Sequence, residues 1–133
     1  MASRRFEQLS SLTVEKNVVK LYATIVTSTS GAVASVDCMG ASIAKVSAEA
    51  GRYRVTLADA YQRLLACNAI VSGAADAAYT TANGVQAIVR NVAVSAATPV
   101  LDIQFVRTDT GADAEVIDGA TIYAEITLSN SSS

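Results

Sequence analysis

The segment Thr121-Ile122-Tyr123-Ala124-Glu125-Ile126-Thr127-Leu128 decides the fold class. Its apolar residues Ile122, Ala124, Ile126 and Leu128 alternate with Thr121, Tyr123, Glu125 and Thr127. A period of two puts the first set on one side of an extended chain, so this is a strand with one buried face. Val100–Arg107 follows the same rule, with Leu101, Ile103 and Phe105 opposite Val100, Asp102, Gln104 and Val106. Pro99 at its start removes no central ladder bond. In Arg52–Leu57, Tyr53, Val55 and Leu57 point inward while Arg52, Arg54 and Thr56 face out, and Gly51 marks the turn that feeds the strand.

Other segments extend the pattern. Val18–Thr27 is apolar on both faces, with Val19, Leu21, Ala23 and Ile25 on one and Val18, Tyr22 and Val26 on the other, which predicts burial on both sides. Residues 85–94 are similar, and one such face is expected to meet another subunit. Shorter strands are expected over 32–37, 42–47 and 65–72, divided by Gly31, Gly40 and Gly73. Between them, Leu57, Tyr61, Leu64 and Leu65 have helical spacing behind Asp59, so a short helical turn stands as an alternative there. Loops are expected over 28–30, 48–51, 73–84 and 108–119, where small, polar or glycine residues supply the reversals.

About eight strands without a βαβ rhythm predict an all-β sandwich or barrel, with a jelly roll as first choice. The chain of 133 residues fits one domain. Residues 13–129 are assigned to it, residues 1–12 to a flexible N-terminal arm and 130–133 to a flexible tail.

Composition narrows the function. The chain is 51% hydrophobic and only 17% charged, against roughly 25% charged in an average domain. A surface so poor in charge is expected to be covered by a partner, and self-association is the simplest one. Lysines, arginines and Asp102 interrupt every apolar run, which argues against a membrane-spanning helix. The first residues lack the apolar stretch of a secretory signal, so synthesis and folding in a cytoplasm are expected.

Net charge is −2, with +3 over residues 1–66 and −5 over 67–133. That asymmetry suits complementary contact between subunits and argues against nucleic acid as a partner. Cys38 and Cys67 are too few for a disulfide framework and lie in no metal-ligand spacing, so they are read as reduced, half-buried thiols.

The chain contains no histidine. Catalytic triads built on that residue and His-containing zinc sites are thereby excluded. No phosphate-cradling glycine motif occurs, and no cofactor or metal is expected. Asp109, Asp113, Glu115 and Asp118 crowd one loop, read first as a solvated turn, with a Ca²⁺ site left open because the spacing departs from the EF-hand pattern. No catalytic residues are assigned and the chain is read as a non-enzyme.

Two sets of residues are candidates for partner binding. Arg4, Arg5 and Phe6 put two cations and an aromatic anchor on the arm, suited to ordering against a capsid. Arg52 and Arg54 share one exposed strand face that can address an acidic surface or a phosphate. The five tyrosines are read as core edges or subunit contacts rather than stacking platforms for a sugar or base.

The runs Gly51-Arg52-Tyr53-Arg54-Val55-Thr56-Leu57-Ala58-Asp59-Ala60-Tyr61-Gln62-Arg63-Leu64-Leu65 and Asp118-Gly119-Ala120-Thr121-Ile122-Tyr123-Ala124-Glu125-Ile126-Thr127-Leu128-Ser129-Asn130 resemble small virion proteins of tailed bacteriophages. In that group a glycine-aromatic strand, a D-x-Y-x-x-L-L turn and a terminal alternating strand recur in compact β domains. Their architecture is similar to the trimers of the C1q and tumour-necrosis-factor type, although a Gly-X-Y stalk is missing here. The resemblance implies a homotrimeric jelly roll on the capsid exterior, partnered by copies of itself and the major capsid protein, acting as a decoration or cement protein. A head-fibre or tail domain that binds a host glycan or protein is the alternative.

Overall fold

The computed structural model describes residues 18–73 and 84–130. They form eight strands: β1 (Val18–Thr27), β2 (Val33–Cys38), β3 (Ala41–Lys45), β4 (Arg52–Leu57), β5 (Arg63–Ser72), β6 (Val85–Ala93), β7 (Val100–Arg107) and β8 (Thr121–Ser129). Two antiparallel four-stranded sheets pack as a sandwich, one ordered β2-β1-β8-β5 and the other β3-β4-β7-β6. The ladders β1–β2, β3–β4 and β6–β7 join strands consecutive in the chain. Those of β1 with β8, β4 with β7 and β5 with β8 join strands far apart in it.

Alternation is realised as expected in β8 and β4. Ile122, Ala124, Ile126 and Leu128 are buried against Tyr53, Val55 and Leu57 in a core that both sheets share. Burying side chains of this size contributes about 1.5–3 kcal/mol each. Tyr53 and Phe105 meet edge to face, with centroids 5.9 Å apart and planes at 81°. The Tyr53 hydroxyl donates to the Gly31 carbonyl at 2.5 Å, so a polar atom carried into the core is satisfied.

Three expectations need correction. β1 buries Leu21, Ala23 and Ile25 but leaves Tyr22 exposed, so within one chain it is covered on one side only. β7, expected to be one-sided, is buried on both, because Asp102, Gln104 and Val106 have no more than 4% exposure. Asp102 is covered by cross-strand arginines, and the Gln104 amide donates to the carbonyls of Ala50 and Phe105 at 2.7 and 3.0 Å. The 57–65 segment holds no helix: Tyr61 is buried, its N–H donates to the Val94 carbonyl at 2.9 Å, and β5 starts at Arg63. Its helical spacing reflects a connector wedged between strands.

One pole is closed by a polar cluster. Lys45 Nζ donates to the Ser30 carbonyl and to Glu115 Oε2, both at 2.6 Å, while Glu115 Oε1 accepts from the Gly51 N–H at 2.9 Å. Glu115 thus ties the β1–β2 connection, the end of β3, the turn into β4 and the β7–β8 loop together. Gly51 is required here, since its φ is +64° and a Cβ would lie 1.9 Å from the Ala114 carbonyl oxygen.

Candidate interaction surfaces

Arg4, Arg5 and Phe6 lie outside the described residues, as does most of the 73–84 loop. Arg52 and Arg54 stand on the outer face of β4, where the register sets Arg54 against Asp102 of β7, and Asp102 in turn against Arg90 of β6. Both guanidiniums close on that carboxylate. Arg52 Nε and Nη2 donate to Asp102 Oδ2 at 3.0 and 2.8 Å, and Arg54 Nε donates to Oδ1 at 2.9 Å. Arg52 also reaches Glu49 at 2.9 Å. Burial alone would raise the Asp102 pKa, but the hydrogen bonds and charges of Arg54 and Arg52 outweigh it and hold the carboxyl below its usual range. The pair is therefore a clamp on an internal anion, and an external phosphate would have to compete with Asp102 for it.

The acidic loop does not converge. Asp109 pairs with Arg107 at 2.7 Å, Asp113 lies 3.7 Å from Arg90, and Glu115 turns inward to Lys45. Among the described residues no group of three His, Cys, Asp or Glu side chains is placed to hold a metal ion.

The outer face of the β2-β1-β8-β5 sheet has a different character. Its register aligns Tyr22 with Glu125 and Asn68, and the next row aligns Thr24 with Tyr123 and Ile70. Tyr22, Ile70 and Tyr123 are therefore neighbours, and they are 63%, 68% and 49% exposed. A shallow depression of about 240 Å³ opens among Tyr22, Asn68, Ile70, Tyr123 and Glu125. Lys20 Nζ donates to Glu125 Oε1 at 2.9 Å and its pKa is raised by that bond, so the two central charges neutralise each other.

Alternation already assigned Tyr123 to an outward face, and Tyr22 to the face of β1 opposite Leu21, Ala23 and Ile25, which was expected to be buried as well. Their adjacency, and the place of Ile70 beside them, depend on β8 lying between β1 and β5, which no local pattern encodes.

Among the described residues no helix is long and apolar enough to cross a membrane. Comparison with protein-family models, with curated proteins and with solved structures found no match.

Proposed function

We propose that this chain is a non-enzymatic structural protein of a tailed-phage virion, made in the host cytoplasm, which self-associates as a trimer and decorates the capsid exterior. The observation that carries the reading is the outer sheet face bearing Tyr22, Ile70 and Tyr123, an apolar surface of the kind that a partner covers. The other face supports it differently, because Arg52 and Arg54 are spent on Asp102 rather than turned toward a substrate. A jelly-roll winding belongs to the same reading. Pairing of β1 with β8 supports it, while the ladders between consecutive strands, β1–β2, β3–β4 and β6–β7, depart from it. Binding to many equivalent positions stabilises a shell by mass action, which needs contact surfaces and no catalytic groups.

The second reading is a head-fibre or tail domain that binds a host glycan, favoured by two tyrosines set beside Asn68 and Glu125. Co-sedimentation of the purified chain with shells of the encoding phage, assembled without it, separates the two. Saturable binding of many copies per shell, with a rise in shell melting temperature, is expected. Failure to sediment with shells, together with retention on host-cell envelopes, would favour the glycan reading.

A further inference from the structure

We infer that the outer face of the β2-β1-β8-β5 sheet is the docking site for a second copy of this chain, anchored by Tyr22, Ile70 and Tyr123. The inference rests on the self-association part of the proposed function and names the surface responsible.

Charge selects this face. It carries Lys20 and Glu125 locked to each other at 2.9 Å, with Asp37 at the β2 margin opposite Thr24. An approaching identical face meets almost no net charge there. The outer face of the other sheet carries Arg52, Arg54 and Arg90 together with Asp102, Glu49 and Asp113, so covering it would desolvate more ionised groups than covering this one.

Size is adequate. Four strands about 4.8 Å apart, averaging about nine residues at about 3.4 Å per residue, present a surface of roughly 500–600 Å². That approaches the roughly 800 Å² per partner of a standard stable interface. Tyrosine anchors flanked by near-neutral contacts match the composition of interface centres.

The patch also reaches a sheet edge. Ile70 lies on β5, a ten-residue edge strand whose one charged residue is Arg63. Edge strands left long and uncharged invite pairing with another chain, and natural monomers usually blunt them. β6 at the edge of the facing sheet shows such blunting: its register shifts between Arg90 and Ala93, and Asn91 adopts φ +51°. β5 shifts register only near its start, between Leu64 and Ala66, so the stretch from Cys67 to Ser72 that carries Ile70 keeps a regular ladder with β8, and a patch that runs to such an edge can close around a rotation axis between copies. A glycan fits less well, because Glu125, the one charged group lining the depression, is already engaged by Lys20.

The test compares solution mass over a wide dilution range for the full chain and for Tyr22→Glu, Ile70→Glu and Ser42→Glu. The first two place a charge on the face, and the third places one on the outer side of β3 in the other sheet. Circular dichroism checks that each variant keeps its fold. The full chain and Ser42→Glu are expected to hold a multimeric mass, while Tyr22→Glu and Ile70→Glu each weaken association at least about tenfold. A dimer dissociated in this way supports the face and overturns the trimer. A multimer that survives both face substitutions overturns the inference but leaves self-association standing. A multimer lost on deleting residues 2–11 and unmoved by the face substitutions assigns the contact to that segment. A full chain that is monomeric at every concentration removes both readings, and oligosaccharide binding abolished by Tyr22→Glu would then make the face a glycan site.

Discussion

Asp102 has no accessible surface and still carries a negative charge, because Arg52 and Arg54 lie over both of its oxygens. Removing it leaves two guanidiniums without their main acceptor, although both keep some contact with solvent. Asp102→Ala is therefore expected to cost about 2 kcal/mol, below the loss for a fully buried pair, read as a lower urea midpoint. Acid should erase the difference. The folded carboxyl titrates below its unfolded value, so its contribution is complete above about pH 4 and is lost as pH falls through the folded pKa. Midpoints of the parent chain and the variant should begin to draw together below about pH 4 and meet only once the pH has passed below the folded pKa. A gap that persists in acid would mean that the clamp acts through packing rather than charge.

Among the elements, the turn into β4 is the most tightly specified. Gly51 combines a positive φ with backbone contact to Ala114, and its N–H is held by Glu115. Gly51→Ala meets both obstacles at once, so a loss of about 3 kcal/mol or more is expected in thermal melts. A variant as stable as the parent would show that the 112–116 loop can move aside without loss.

Strands β4, β7 and β8 were legible because alternation is a local property of a half-buried strand. Two features were not. The second face of β7 reads as polar until the register brings Arg52 and Arg54 over Asp102. Helical spacing around Tyr61 arises by coincidence in a bend pinned by Val94. Contacts made across strands belong to the pairing order, which single-strand patterns do not contain. For the same reason the candidate surface was half visible: Tyr123 could be placed outward and Tyr22 on the second face of β1, but not side by side with Ile70.

At the scale of the whole molecule, sheet order separates the two cysteines. Cys38 lies on β2 and Cys67 on β5, at opposite edges of one sheet. Three ladder spacings alone put them at least about 14 Å apart, beyond the roughly 4.4–6.8 Å between Cα atoms that a disulfide spans. Burial also pushes the Cys67 thiol up to about 11, leaving little thiolate at neutral pH. Melting curves recorded with and without reductant should superimpose, and alkylation of Cys67 at pH 8 should be slow. A reductant-dependent loss of stability would require a sheet order other than β2-β1-β8-β5.

The pairing of Val18 with Ser129 has a mechanical consequence. Both ends of the described fold leave from the same pole, on adjacent antiparallel strands. Tension applied between them pulls perpendicular to the β1–β8 ladder and opens its bonds one pair at a time, like a zipper. Tension entering through one end and leaving through the outer sheet face would instead be shared by many bonds at once. A fold built this way resists force best when held by one terminus and its flank, and least when pulled between its two ends.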